Sequence, residues 1–259
     1  MKIATITTFN NNILKSYAYK FINSYNWQFP LYVYSEDTLD NKAGIDKVYS
    51  TFDKIPQCKE FIERNKKRPI PRNAWGLLRG GRPTSHDSIS FSYKVYSYTD
   101  WILNESNGYD GVICIDADSV FYKKCNSDWI REHIHRDNSM MTYLGRGKPI
   151  IGDSLYSECG YLYFNLKHPK TKEYAQAMQD MYNKDTLFNL KEWHDSYIWD
   201  NVRIKFEKEF KINNHNIGDN GGGHVQARSV VGQLYDHCKG NRKKTGFSQE
   251  NTLYDGLHR

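Results

Sequence analysis

What the 259-residue sequence lacks narrows the field first. No stretch approaches the ~20 consecutive apolar residues of a membrane span. The opening MKIATITTFNNN reaches Asn too soon for a signal peptide, so a cytoplasmic protein is expected, with a virus-encoded enzyme in a host cytoplasm as one form of that expectation. The five cysteines are odd in number and include no CxxC pair, which argues against a disulfide framework and against a structural zinc site. There is no linker rich in Pro, Gly or Ser and no repeat of solenoid period, so residues 1–259 are expected to form a single domain. Acids are absent from the stretch Arg64, Lys66, Lys67, Arg68, Arg72, Arg79, Arg82, which Pro69, Pro71, Gly76, Gly80 and Gly81 mark as a loop. Such a run is either a solvated face or a contact for phosphates or a polyanion.

What is present reads as alternating strands and helices. Residues 2–9 are β-branched and strand-like, residues 12–26 carry Leu14, Tyr17, Ala18, Phe21 and Ile22 at helical spacing, and residues 31–37 form a second strand. Strand, helix and strand in so short a span make a βαβ unit and predict a parallel sheet. A helix over 88–103, a central strand over 111–121, strands over 140–145 and 160–166, and helices over 170–191 and 193–202 follow. Residues 218–223 read as a flexible turn, and the last forty residues are polar and irregular apart from RSVVGQLYD.

The central strand, GVICIDADSVF, ends its apolar run in Asp116 and Asp118. Residues i and i+2 of a strand share a face, so both carboxylates are expected to point together at the carboxyl edge, where open α/β sheets bind ligands. Two adjacent like charges are costly to bury, and a divalent cation removes that cost. Carboxylate oxygens suit Mg²⁺ or Mn²⁺, which in turn bind phosphate oxygens. A bare DxD arises by chance about once in a chain this long; the apolar run before it and Val120-Phe121 after it make it more specific.

That arrangement resembles the DxD motif of GT-A glycosyltransferases, in which the motif holds a metal against the diphosphate of a nucleotide sugar. His237, Gly240 and Lys243 have the spacing H-x-x-G-x-x-K and resemble the C-terminal HxxGxxKPW motif of family 8, the glycogenin group; Lys244-Thr245 stand where that motif has Pro-Trp. The resemblance implies an α/β GT-A fold, Rossmann-like, with a mixed, mostly parallel sheet flanked by helices. It implies Mn²⁺ (or Mg²⁺) on Asp116, Asp118 and His237, and donor phosphates near Asp116, Gly240 and Lys243. Residues 1–121 would be the nucleotide-sugar half and 122–259 the acceptor half. EWHDSYIWD (192–200) resembles the WHDES segment of family 6, which includes the blood-group transferases, but lacks the Glu that is the nucleophile candidate there. Asp195 carries over as a sugar- or acceptor-binding carboxylate and a candidate base, with His194 the second catalytic candidate and Trp193 a surface for a sugar. Thr7, Thr8 and Phe9 are candidates for the nucleoside, with Tyr34 and Glu36 nearby, and Lys94 for a phosphate. Asn165 is the one polar residue of 160–166 expected to face a ligand.

The same order of motifs (RGGR, SYK, DAD, EWHDS, DHxKGxRK) looks like that of uncharacterised phage and marine viral glycosyltransferase-like proteins. Both numbered families retain anomeric configuration, so retention is expected, and without a clear nucleophile attack from the leaving-group face is favoured. The cationic loop 64–82, with Trp75, Arg79 and Arg82 in it, makes a hydroxymethylated pyrimidine in phage-type DNA the expected acceptor and a glycan or protein hydroxyl the alternative. Two readings of another class remain: a metal-dependent nucleotidyltransferase or phosphohydrolase, and a non-catalytic nucleic-acid-binding protein.

Overall fold

The computed structural model describes residues 1–68, 87–147, 156–218, 224–240 and 242–245. Seven strands form one sheet in the order β3-β2-β1-β4-β7-β6-β8, and β5 and β9 pair separately. The strands are β1 (Ile3–Thr8), β2 (Leu31–Ser35), β3 (Lys47–Ser50), β4 (Gly111–Ile115), β5 (Ser119–Phe121), β6 (Met141–Leu144), β7 (Glu158–Asn165), β8 (His215–Asn216) and β9 (Tyr235–His237). Only β7 runs against its neighbours in the large sheet. The sheet is thus mixed and mostly parallel, as the sequence predicts.

Strand alternation assigns each face of the sheet its own core. Val112 and Cys114 of β4, with Ala4 and Ile6 of β1 and Leu162 and Phe164 of β7, face one cluster. Ile113 and Ile115, with Ile3, Tyr161 and Tyr163, face the other. A strand buried on both faces has to be apolar throughout, which is why β4 reads as a continuous apolar run. The first face is covered by α2 (Pro56–Asn65), α3 (Asp87–Asp100), α5 (Thr171–Asn183) and α6 (Asp195–Phe210). The second is covered by α1 (residues 11–24) and α4 (Ser127–His133). Asparagine side chains cap α1 and α4: Asn10 Oδ1 accepts from Ile13 N and Asn126 Oδ1 from Trp129 N, both at 2.9 Å. Pro56 opens α2, where its missing N–H is no loss. The middle of α1, Leu14–Ala18, is wound as a π-helix.

Three expectations need correction. The segment 111–121 is not one strand. β4 ends at Ile115, Asp116–Asp118 form a turn, and β5 leaves the sheet to pair with β9. The two aspartates therefore meet through a turn and not through strand alternation. The cationic loop begins later than its charges suggest, since Arg64 belongs to α2. Asn165 lies at the far end of β7 from the DxD turn, opposite Gly111, because β7 is antiparallel to β4. Its amide donates to the Arg136, Asp137 and Ser139 carbonyls, a structural duty. Elements that pattern reading did not anticipate include β3, α2, α4, β9 and a last helical turn, α7 (Arg242–Thr245).

Candidate active site

β1 has β2 on one side and β4 on the other, so the chain's winding reverses there, and open α/β sheets bind ligands outside such a point. The DxD turn hangs from that edge and is pinned on all sides. Tyr98 donates to the Ile115 carbonyl (2.9 Å), Asp116 N–H to the Gly160 carbonyl (3.2 Å), Ser119 Oγ to the Asp116 carbonyl (2.8 Å) and Cys238 N–H to the Asp118 carbonyl (2.8 Å).

The β5–β9 ladder brings the distant C-terminal motif to this turn. Ser119 pairs with His237, and Phe121 with Tyr235. Behind the ladder, Phe121 stacks on Tyr235 at 5.5 Å and meets Trp27 edge-on at 4.9 Å. His237 Nε2 then lies 2.9 Å from Asp118 Oδ1 and 3.5 Å from Asp116 Oδ2. Ligand atoms of Asp116, Asp118 and His237 all fall within 4.8 Å of one another, and two oxygens with one nitrogen is a donor set that suits Mn²⁺. Lys243 Nζ sits 2.9 Å from Asp118 Oδ2 and 4.5 Å above the Tyr17 ring, so the π-helical segment of α1 floors the motif's last residue. Gly240 is left-handed (φ +61°), which glycine adopts without strain, and an added Cβ there would meet nothing within 4 Å among the described residues.

Burial raises both carboxyls, and their neighbours split them. Burial raises Asp116 above the usual carboxylate range, with Lys94 and His237 opposing it. Asp118 is pulled well below that range, because His237 and Lys243 outweigh burial. Burial alone would lower the imidazole of His237, but Asp118 raises it.

Lys94 is placed differently from expectation. It neither faces water nor stands free for a phosphate. Its buried Nζ donates to the Cys159 carbonyl (2.6 Å) and forms ion pairs with Asp116 Oδ1 (2.6 Å) and Asp195 Oδ2 (2.8 Å). This lysine joins the DxD turn to the start of α6. Asp195 is 3% exposed, and its Oδ1 accepts from Ser196 N–H at 2.7 Å. His194 caps α6: Nδ1 accepts from Tyr197 N–H (3.3 Å), and Nε2 bonds Glu192 Oε2 (2.8 Å). With both ring nitrogens engaged, it orients the helix that carries Asp195. Trp193 meets Phe188 edge-on at 4.7 Å and donates to the Leu190 carbonyl, so its indole belongs to the margin of the core.

On β1, Phe9 is 2% exposed inside the core cluster, so its ring offers no open face to a base. Thr7 is buried with an unpartnered hydroxyl, and Thr8 Oγ1 donates to the Tyr34 carbonyl. Tyr34 donates to Asp100, and Glu36 accepts from Asn10. Of the cationic stretch, Arg64 and Arg68 pair with Asp185 at 2.9 and 3.5 Å, and Lys66 pairs with Glu63. Trp75, Arg79 and Arg82 lie outside the described residues.

The residue that sequence reasoning passed over is Glu158. It opens β7, and β7's reversed direction puts that end beside the DxD turn. Fully buried, it gathers Lys239 (2.5 Å), Arg146 and His224 (3.5 Å). The signal was an acid at the head of an apolar strand, the counterpart of the acids at the tail of β4.

No protein-family model matches the sequence, and no curated protein matches it. Among solved structures the chain is similar to mouse xyloside xylosyltransferase 1 in its apo form (11% identity, TM-score 0.46, covering 84% of this chain and 86% of that one). It is also similar to the glycosyltransferase GlyE of Streptococcus pneumoniae TIGR4 (14% identity, TM-score 0.41, 84% of this chain, 46% of that one). The mannosyltransferase Ktr4p of S. cerevisiae is a third (8% identity, TM-score 0.43, 76% of this chain, 64% of that one). With TM-scores of 0.41 to 0.46, these likenesses leave function to the chain's own side chains.

Proposed function

We propose that the chain is a metal-dependent glycosyltransferase that moves a sugar from a nucleoside-diphosphate sugar, with UDP the expected nucleotide, to an acceptor hydroxyl. One observation carries the reading: Asp116 and Asp118 from mid-chain and His237 and Lys243 from more than a hundred residues later converge on one turn at the carboxyl edge of β4. A nucleotidyltransferase or phosphohydrolase built on two metals wants more converging carboxylates, and a binding module leaves this convergence without a purpose. A divalent cation on Asp116, Asp118 and His237 would supply Lewis-acid stabilisation to the departing diphosphate.

The chain's own residues do the rest. Lys243 adds positive charge where the β-phosphate leaves, and the bend at Gly240 leaves room for phosphate oxygens near the backbone. Lys94 keeps Asp116 and Asp195 at a fixed spacing. Asp195 is the group assigned to orient or deprotonate the acceptor hydroxyl, and His194 holds the helix end from which it projects. No carboxylate replaces the family 6 glutamate at Ser196, so retention by attack from the leaving-group face is the expected course. In this reading 1–121 and 122–259 are halves of one domain, consistent with the β5–β9 ladder that crosses between them.

For the acceptor, a glycan or protein hydroxyl is preferred to the expected hydroxymethylated DNA, since Asp185 takes up one of the two charges that Arg64 and Arg68 bring to the cationic stretch. The test is nucleoside-diphosphate release with Mn²⁺ from a panel of nucleotide sugars, each with and without hydroxymethylcytosine DNA. Metal-dependent release indifferent to DNA is expected. Release that rises with DNA and falls steeply with salt would assign the nucleic-acid acceptor. No release from any donor would remove the transferase reading.

A further inference from the structure

We propose that Glu158 is the positioning residue for His237: it accepts the Nδ1 proton of that imidazole, and Lys239, Arg146 and His224 hold it in place to do so. The inference rests on the reading of His237 as a metal-holding residue.

His237 is 1% exposed, and its two ring nitrogens have unlike surroundings. Nε2 faces the DxD carboxylates. Among the described residues Nδ1 has no hydrogen-bond partner, and Glu158 Oε1 stands 3.7 Å from it. An imidazole that turns the lone pair of Nε2 towards a cation carries its proton on Nδ1. In a dry site that N–H needs an acceptor, and metal-binding histidines commonly find one in a carboxylate. A movement of about 0.8 Å brings 3.7 Å to the ordinary ~2.9 Å of an N–H···O bond.

The surroundings of Glu158 divide its two oxygens between two duties. Oε2 takes Lys239 Nζ at 2.5 Å and Arg146 Nη2, with His224 Nε2 at 3.5 Å. Burial alone would raise this carboxyl, but Lys239 and the two imidazoles beside it hold it well below its usual range, so it stands as an acceptor. Oε1 accepts one N–H, from Gly160 at 3.1 Å, which fixes its direction and leaves a lone pair towards the imidazole. Glu158 and Gly160 lie two apart on β7 and share a face. A Cβ on Gly160 would sit 2.3 Å from Nδ1 and Cε1 of His237, so the ring reaches Glu158 only across a glycine. Lys239 is two residues beyond His237, so its contact with Glu158 also ties the C-terminal motif to the sheet.

Glu158, His224 and His237 also offer three ligand atoms within 4.8 Å, the geometry of a second cation site. Lys239 and Arg146 already place positive charge on Glu158, which opposes a second ion there.

The experiment is Mn²⁺ alone, without nucleotide, titrated against the full chain and followed by the electron paramagnetic resonance signal of free Mn²⁺. Alongside it, ¹⁵N resonances of His237 are recorded with diamagnetic Cd²⁺ in place of Mn²⁺. The expected result is one ion per chain, a His237 protonated at Nδ1, and a 10- to 100-fold weaker ion affinity in Glu158→Gln, partly restored in Glu158→Asp. The wild-type tautomer needs no variant, so a poorly folding substitution does not block the test. A His237 protonated at Nε2, two ions per chain, or unchanged affinity in a folded Glu158→Gln would each overturn the proposal. Unchanged affinity in His237→Ala would instead overturn the metal reading beneath it.

Discussion

Asp116 and Asp195 meet across one ammonium group: Lys94 Nζ lies 2.6 Å from the first and 2.8 Å from the second. The DxD turn and the head of α6 are thereby one electrostatic unit, with Lys94 and Asp195 buried and Asp116 partly open to water. Burial would depress the lysine, but the two carboxylates hold it well above its ordinary value. Lys94→Met leaves two buried anions without their counter-charge and is expected to cost about 3–5 kcal/mol. Denaturant unfolding checks this. In the double variant with Asp195→Asn, part of the stability should return while turnover does not. An unchanged unfolding midpoint in Lys94→Met would show that the cluster is not bound as described.

Gly160→Ala drives a methyl into the His237 ring. The ring must move, because it is fully buried and the clash is at 2.3 Å. Overpacking of this kind costs about 1–3 kcal/mol. The larger effect is expected on Mn²⁺ affinity, at least tenfold weaker by titration.

Asp200 accepts from Ser157 N–H (2.7 Å) and Oγ (2.8 Å) and pairs with Arg203 (3.1 Å), so it holds the residue just before Glu158. Asp200→Ala leaves two buried Ser157 donors unpaired and leaves Arg203 with Glu207 as its carboxylate partner. A loss of about 1–3 kcal/mol in chemical unfolding is expected.

Arg64→Gln tests the cationic stretch. Its partner Asp185 makes an exposed pair, worth under about 1 kcal/mol, so stability should barely change. If Arg64 is spent on Asp185, binding to polymeric DNA at low salt is also unchanged. A clear loss of DNA binding in a filter or fluorescence assay would restore the polyanion reading.

Away from the site, Glu105 bonds Lys54 (2.6 Å) and Tyr49 (2.7 Å). Burial alone would raise its carboxyl, but these partners lower it. A depressed carboxyl contributes stability above its unfolded pKa of about 4.3, lost as pH falls through the folded value. Glu105→Gln should therefore be less stable than the parent at neutral pH, with the difference closing below about pH 4. Thermal unfolding across that range checks the sign.

Much of this was legible in the residues because it is local. The βαβ start, the doubly buried β4 and the HxxGxxK spacing each follow from short-range periodicity or residue type. What stayed hidden depends on pairing between distant segments. Ser119 opposes His237 only because β5 abandons the large sheet, and nothing in SVF or YDH announces that partnership. Lys94 reads in the sequence as a cation for a phosphate because its two acids arrive from elsewhere in the chain. Glu158 escaped notice because the direction of β7 decides which of its ends meets the site, and β7's sequence reads alike in both directions. Phe9 and His194 were over-read for the opposite reason: an aromatic at a strand end and a histidine beside an acid are as often core and cap as ligand contacts.

The central claim is that the DxD turn and His237 together support sugar transfer. The most direct measurement is Mn²⁺-dependent nucleoside-diphosphate release by the wild-type chain, Asp118→Asn and His237→Ala, each first shown to be folded by circular dichroism. The account predicts release by the wild type with Mn²⁺, loss on chelation, and a fall of at least a hundredfold, about 2.7 kcal/mol in transition-state stabilisation, in both variants. Release that survives chelation, or that either folded variant sustains at the wild-type rate, would contradict it.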